Sequence, residues 1–588
     1  MEKFKRAVSN MLWVMKPYWK YGKLYVIISF VMNVISAPIG AIAGVTVAQA
    51  VIDAVVAGNP LAYVLKIIAA YFGIFASTSL FQGVVSSYYR NWKRQEVNAK
   101  ITCDLYEQAQ KTDFKYIDDP KYFNGFEISL ANLANISENM FSNIYSVLSS
   151  AVQVAVMIGI VSQIGAVIAI IIAAGAVAST IFAVRVSTVM IGGYEREMVP
   201  VQRRMDYATR VWTQNSFAPD LKSMRISELL IEGFREAAKI FVRTQKRIVA
   251  KVSFLSIGNN WTQKITEYAI IAYIAWGLAT GRVESVGAYA TLIAAASELR
   301  TGVGGFLYII PYIKRDVQTA ELVRKFFDLK STIEPSSGDT PPDGNFTVEI
   351  KDAQFTYPNS AFALRGISID AGAGEKIAIV GRNGAGKSTL MKLLLRLYDT
   401  GGGDILYNGK SIKDYDVHAL RRRVGIAFQQ PNVYALTLRD NLQAYNKAPD
   451  EALRRALVEA GLARLADSLD SEVTKEFDEN GIMLSGGEAQ KLAIARLLTG
   501  GSGLLLLDEP SSALDPIAER EVVDMLFSAA NRATTIMVAH RLSTVRNADK
   551  IYVIEDGAVA ETGTHDELMK LGGKYAEMFE KQAENYVK

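Results

Sequence analysis

The stretch EKIAIVGRNGAGKSTLMKLLLRL, residues 375–397, decides the reading of this chain. Ile377, Ala378, Ile379 and Val380 form a short apolar run of the kind a buried parallel strand needs. A glycine-rich turn follows, and after it Leu390, Met391, Leu393 and Leu394 recur at helical spacing. Gly381 to Ser388 satisfy G-x-x-x-x-G-K-[ST] between that strand and that helix, the setting in which the pattern means a phosphate-binding loop. Gly381, Gly384 and Gly386 let backbone N–H groups turn toward phosphate oxygens, and the helix N-terminus adds a favourable dipole. Lys387 is placed to reach the β- and γ-phosphates of a nucleotide, and the Ser388 hydroxyl to ligate Mg2+. Arg382, Asn383, Ala385 and Thr389 complete the nucleotide-binding set.

A second element lies downstream at LLLLDEP, residues 504–510. Four leucines read as another buried parallel strand. Asp508 at its C-terminal end is the candidate Mg2+ ligand, and Glu509 the candidate acceptor of a proton from attacking water. Alone, Asp-Glu-Pro after an apolar strand is an ordinary strand-ending turn. A phosphate loop in the same domain changes that reading.

Upstream the composition changes. The chain has 588 residues, half of them apolar, yet 21% are charged, which suggests a hydrophobic part joined to a soluble part. A net charge of +4 gives no argument for nucleic acid. The single cysteine, Cys103, excludes an intrachain disulfide. His418, His540 and His565 are too scattered to form a spaced ligand set. A run rich in Pro, Ser, Gly and Asp at 331–345 marks a linker, with the phosphate-binding domain at 346–588. Before it, apolar runs long enough to cross about 30 Å of hydrocarbon lie near 24–53, 61–88, 139–162, 164–187, 255–280 and 286–312. Ser162, Gln163 and Gly165 suggest the break between the third and fourth. Residues 1–23 read as an amphipathic interfacial helix, bent or ended at Pro17.

The basic residues give a direction. Segments 1–23, 84–138 and 188–250 carry 6, 7 and 11 Lys/Arg, whereas 54–60, 162–166 and 280–287 carry 0, 0 and 1. By the positive-inside tendency the N-terminus, both long connections and the C-terminal domain are cytoplasmic. The long connections keep helical character, so they read as stalks. Their expected tips are Tyr116–Gly125, where Asp-Pro and Asn-Gly should break a helix, and Asn215–Lys222. Within the spans, Glu298 and Arg300 in the sixth are either cargo or gating residues or an interhelical pair. Lys264 and Glu267 in the fifth read as a local salt bridge.

LSGGE at 484–488, followed by AQKLAIARLL, resembles the signature motif of ATP-binding cassette (ABC) proteins. Glu488 departs from the usual Gln. Other motifs are similar in order: Tyr357 in FTYP to the adenine-stacking aromatic, Gln429 in AFQQP to the glutamine that senses Mg2+ and the γ-phosphate, SSALD at 511–515 to the D-loop, and His540 in MVAHRLS to the switch histidine. The six spans before this cassette resemble the exporter-type membrane domain. The resemblance implies an all-α membrane domain with six transmembrane helices and long cytoplasmic extensions, followed by an α/β P-loop NTPase domain.

It also implies ATP and Mg2+ as cofactors, with Glu509, His540 and Gln429 catalytic and Ser388, Gln429 and Asp508 around the metal. Ser485, Gly486, Gly487 and Glu488 would contact ATP held by a second half-transporter, giving a homodimer or heterodimer. The expected setting is the cell membrane, of bacterial inner-membrane type, with no nucleic acid partner. The expected work is ATP-driven export or flipping of a small or amphipathic cargo that the sequence does not name. An ATP-gated channel or a regulatory membrane ATPase would use the same parts.

Overall fold

A computed structural model describes residues 2–118, 120–161, 166–193, 197–280, 286–333, 338–357, 363–509, 533–539 and 541–587. The chain divides into two compact units, Met1–Gln110 with Lys121–Leu329, and Lys111–Pro120 with Lys330–Lys588.

The first unit is helical. Its long elements are Glu2–Phe30, Ala37–Val56, Leu61–Val84, Asn91–Gln110, Pro120–Val161, Ala166–Gly193, Ile226–Ala279 and Val286–Phe327. Single π-helical turns at Val31–Ser36 and Val85–Arg90 join the first two pairs into continuous rods. Lys5–Val56, Leu61–Gln110, Gly125–Ile160 and Ile170–Met190 are long and apolar enough to cross a membrane. The helices over the fifth and sixth expected spans are long enough, but polar residues such as Asn259, Asn260, Lys264 and Glu267 on one and Glu298 and Arg300 on the other lower their hydropathy. Large apolar side chains point outward on Leu61–Val84, where Phe72 and Leu80 are each 68% exposed. Such a surface suits lipid rather than water.

Helices approach closely at small residues, as at Gly175 against Thr266 and Gly258 against Phe182. One core joins Val14, Tyr18, Tyr25, Val97, Ile101 and Met140. Another joins Val45, Met157, Ile168, Ile274, Leu292 and Ala295.

Several local expectations change. The first helix passes through Pro17, and its kink lies at Gly22, with φ −135° and ψ 36°. Glycine has no Cβ to resist the bend, so the kink falls there rather than at Pro17. The Asn124–Gly125 pair does not break a helix, because it lies inside Pro120–Val161. Pro120 opens that helix in a position where its missing N–H costs nothing. The turn comes earlier, around the short helix Phe114–Ile117. At the second expected tip a 3-10 turn, Asn215–Phe217, and a short helix, Ala218–Ser223, separate the helix Val199–Thr213 from Ile226–Ala279. The expected break at Ser162, Gln163 and Gly165 lies outside the described residues.

The second unit is α/β. Its strands are β1 (Val348–Thr356), β2 (Ala363–Ala371), β3 (Lys376–Val380), β4 (Gly402–Tyr407), β5 (Lys410–Ser411), β6 (Val424–Ala427), β7 (Leu504–Asp508), β8 (Thr534–Val538), β9 (Lys550–Glu555) and β10 (Ala558–Gly563). An antiparallel sheet runs β2-β1-β4-β5, and a larger sheet runs β10-β9-β3-β8-β7-β6, parallel except at the β10 edge. The parallel strands are apolar throughout because helices or the other sheet cover both faces: Leu504, Leu506, Ile536 and Val538 pack into one cluster, Leu505, Leu507 and Met537 into the other.

The run after 330 is stitched to this unit. The Thr332 and Ile333 N–H groups donate to the Asp113 carboxylate at 2.8 and 3.1 Å, and Asp339 bridges in parallel to Tyr415.

Candidate nucleotide site

β3 and β7 are separated by β8, and both end at the same edge of the parallel sheet. That edge is where a parallel α/β sheet presents its loops. The loop after β3 makes its turns at Gly381, Gly384 and Gly386, with φ of 153°, 81° and 112°. Gly381 also has a close neighbour, since a Cβ there would lie 2.2 Å from the Ile554 carbonyl oxygen. Gly386 caps the helix Lys387–Leu394. The Ala385 N–H donates to the Arg382 carbonyl at 3.2 Å, and the Ala385 carbonyl accepts from the Gly557 N–H at 3.2 Å, which holds the loop against the β9–β10 turn.

Lys387 is 6% exposed. Its Nζ donates to the carbonyls of Gly381 at 2.9 Å and Arg382 at 3.0 Å, so the ammonium sits under the loop crest. Burial pushes its pKa below the ordinary lysine value; the Glu509 and Asp508 carboxylates oppose that shift. The three charges therefore share one electrostatic neighbourhood. Asp508 ends β7 in register with Val538 of β8. Glu509 follows with φ of 52°, and its N–H donates to the Val538 carbonyl at 3.1 Å. A left-handed conformation costs a non-glycine residue about 1 kcal/mol or more and turns the chain off the sheet. The Gln429 Nε2 donates to Glu509 Oε2 at 2.8 Å. The structure thus brings Lys387, Asp508, Glu509 and Gln429 together from segments far apart in sequence. An oxygen donor set of hydroxyl, amide and carboxylate suits Mg2+, and a buried ammonium beneath backbone amides at a helix N-terminus suits phosphate.

Tyr357 lies just after β1. Its hydroxyl is 3.3 Å from Thr389 Oγ1, and its ring meets Phe355 edge-on at 4.9 Å and Tyr398 at 5.5 Å. Ser485 caps the helix Gly486–Thr499 in a reciprocal box with Glu488. The Ser485 N–H donates to Glu488 Oε2 at 2.9 Å, and the Glu488 N–H donates to Ser485 Oγ at 3.3 Å. Arg464 Nε donates to Glu488 Oε1 at 2.9 Å. The Ser485 amide first, then Arg464, hold the Glu488 pKa down at about 2. Glutamate at this position is thereby neutralised by its own surroundings. His540, Pro510 and the SSALD segment lie outside the described residues.

Sequence reasoning missed three partners. Arg464 carries no signal, being 24 residues from Glu488. Lys392 and Tyr398 lie beyond the loop motif but join its aromatic neighbourhood: Lys392 Nζ stands 5.5 Å from the Tyr357 ring centre and 5.8 Å from that of Tyr398. Glu298 and Arg300 of the helical unit do not pair with each other. Two residues apart on a helix, they point to different neighbours: Glu298 Oε2 accepts from Gln153 Nε2 at 2.5 Å, and Arg300 donates to Gln263 Oε1 at 2.9 Å. Lys264 and Glu267 do form their local bridge, at 3.0 Å.

Residues 364–512 match the family described as ABC transporter. Over 510 residues the chain is 29% identical to an ATP-dependent lipid A-core flippase of Photobacterium profundum, covering 84% of each chain. It is 34% identical over 364 residues to the beta-(1→2)glucan export ATP-binding/permease protein NdvA of Nitrobacter winogradskyi, covering 60% of this chain and 58% of that one. It is 38% identical over 252 residues to multidrug resistance protein 1 of Entamoeba histolytica, but spans only 19% of that longer protein. A bacterial Atm1-family ABC exporter solved with ATP bound shares the fold, with a TM-score of 0.76 at 22% identity over 95% of this chain and 98% of that one. The chain is accordingly a homologue of the ABC exporters, with a helical membrane-type domain of apolar helices followed by an ABC transporter domain.

Proposed function

We propose that this chain hydrolyses ATP to drive export or flipping of a small or amphipathic cargo across a cell membrane, as one half of a dimer. The observation that carries this is the Gln429–Glu509 hydrogen bond beside the buried Lys387. It supports a carboxylate held ready to take a proton from water next to a cradle for the γ-phosphate. The similarity to the lipid A-core flippase over most of both chains supports coupling that chemistry to movement across a membrane.

In this reading the loop amides of residues 381–389 and Lys387 bind the phosphates. Tyr357 offers its ring to adenine, Gln429 orients the water, and Glu509 accepts its proton. His540 steadies the γ-phosphate. Ser388, Gln429 and Asp508 would hold Mg2+, which would neutralise phosphate oxygens as charge develops. Ser485, Gly486, Gly487 and Glu488 serve the nucleotide of the second half-transporter, identical or different, so closure of the pair would follow binding and separation would follow hydrolysis. In the same reading the N-terminus and cassette lie in the cytoplasm, at an inner membrane of bacterial type, which the Lys/Arg distribution supports.

The test is reconstitution of the purified chain in sealed vesicles. MgATP-driven accumulation of an amphipathic dye against its gradient, abolished by Glu509→Gln, is the expected result. Dissipation of a preset gradient under MgATP, without accumulation, would instead identify a gated channel.

A further inference from the structure

Arg300 lies in the helix Val286–Phe327, between the apolar runs 292–296 and 306–311, and its guanidinium is under-used. One nitrogen donates to Gln263 Oε1 at 2.9 Å, while Nε is buried without a partner. Among the described residues no carboxylate pairs with it. Glu298 is taken by Gln153, and Glu267 by Lys264. A guanidinium in apolar surroundings is costly unless something satisfies its donors. Beside it lies a cavity of about 190 Å³ lined by Glu267, Ile270, Ile293, Ser297 and Arg300.

We propose that this cavity is an oxyanion subsite, in which Arg300 takes the phosphate or carboxylate headgroup of an amphipathic cargo. The inference rests on the export reading above and adds a cargo class to it. The planar fork of Arg matches two oxygens of either group at once, which a lysine cannot do. Ser297, one helical turn before Arg300, brings a hydroxyl to the same cavity. Glu267 also lines the cavity, but its carboxylate is bridged to Lys264 at 3.0 Å, which leaves Arg300 as the cationic side chain of the lining. Ile270 and Ile293 give apolar walls for the first methylenes of a tail. The volume corresponds to about six waters, enough for a headgroup and not for a whole lipid. Both headgroup types share this chemistry, and the probes separate them.

The experiment uses the full chain in phosphatidylcholine nanodiscs without nucleotide. Binding of dodecyl phosphate, laurate, neutral dodecyl maltoside and dodecyltrimethylammonium is measured by isothermal titration. At least one anionic probe should bind about ten-fold tighter than the neutral and cationic probes, and which one does so names the headgroup. Arg300→Gln should erase that preference. Arg300→Lys, which keeps the charge and so guards against a folding defect, should retain only part of it. Equal binding of all four probes by the unmodified chain, or an unchanged preference in either variant, overturns the subsite. Because the assay needs no ATP, it does not depend on pumping. ATP-driven accumulation of a cationic dye with no anion preference would sink this inference and leave the export reading standing.

Discussion

Gln429 donates its Nε2 hydrogen to Glu509 Oε2 at 2.8 Å, tying the segment after β6 to the end of β7 across 80 residues of chain. The bond aims the carboxylate, and the left-handed backbone at Glu509 fixes where it starts from. Glu509→Gln keeps size and polarity but removes the base. Phosphate release should fall about 100-fold or more, while binding of a fluorescent ATP analogue stays within a few-fold. Gln429→Ala leaves the base but frees its orientation, so turnover should fall by roughly ten-fold. Equal turnover in Glu509→Gln would remove the residue from the chemistry.

Lys387 makes a different kind of prediction. Burial lowers its pKa from the ordinary 10.5, so in the window just below that value the unfolded chain binds more protons than the folded one. Stability of the nucleotide-free protein should therefore rise with pH through that window. Lys387→Met should flatten this rise. It should also remove the stabilisation by MgATP, which for the unmodified chain is about 2.7 kcal/mol at a hundred times Kd. Thermal melts at pH 7 and 9.5, with and without MgATP, read both effects.

How much of this was legible in residues 375–397 depends on range. The strand–loop–helix and the end of β7 could be read because their chemistry is local: glycines where φ is positive, apolar runs where both faces are covered. The pairing of Gln429 with Glu509 could be anticipated only through motif order, since nothing near Gln429 marks it. The partners of Glu298 and Arg300 could not be read at all, because they depend on which helices lie beside the sixth expected span. Asn-Gly misled at 124–125 because both residues lie inside the long helix Pro120–Val161, and a helix held along its length overrides a local turn preference.

Besides the nucleotide role proposed for its loop, Glu488 should make a structural contribution through its cap and Arg464 contacts. Its pKa is held at about 2 against an ordinary 4.5, so the stabilisation it gives is present above about pH 4.5 and is lost as pH falls toward 2. Glu488→Gln keeps an oxygen to accept from the Ser485 N–H and loses only the partly exposed Arg464 pair. Its cost at neutral pH should be under about 1 kcal/mol. Glu488→Ala loses the box as well and should cost about 1 kcal/mol more. Acid melts between pH 5 and 2.5 should show the carboxylate-dependent loss in the unmodified chain and not in Glu488→Gln.

The loop glycines differ in what a methyl group would meet. At Gly381 a Cβ would fall 2.2 Å from the Ile554 carbonyl oxygen, whereas at Gly384 nothing lies within 4 Å and only the φ of 81° is strained. Gly381→Ala should therefore cost more than the 1–3 kcal/mol or so of a strained backbone alone, and Gly384→Ala should stay within that range. Urea unfolding of the two variants compares them directly. A smaller loss at Gly381 would contradict the close approach.

The short helix Phe114–Ile117 belongs to the α/β unit, although the chain on either side of Lys111–Pro120 continues into the helical unit. Phe114 meets Tyr398 edge-on at 5.7 Å, and Asp118 accepts from the Tyr398 hydroxyl. Lys392, on the helix that starts at Lys387, lies 3.5 Å from Asp118 and 5.2 Å from the Phe114 ring centre. The same ammonium stands over Tyr357, the candidate adenine partner. A shift of Tyr357 or of the loop helix on nucleotide binding would therefore be felt at Phe114 and Asp118. The Asp118–Lys392 pair is partly exposed and worth under about 1 kcal/mol. The aromatic contact is worth about as much again beyond the apolar area it buries, so Phe114 should dominate. Phe114→Ala should lower ATP-driven dye accumulation by about ten-fold while phosphate release stays within about two-fold, a coupling loss near 1.4 kcal/mol. Asp118→Asn should show a smaller fall in the same direction. Proportional loss of transport and hydrolysis in Phe114→Ala would mean that the contact only holds the unit together and carries no coupling.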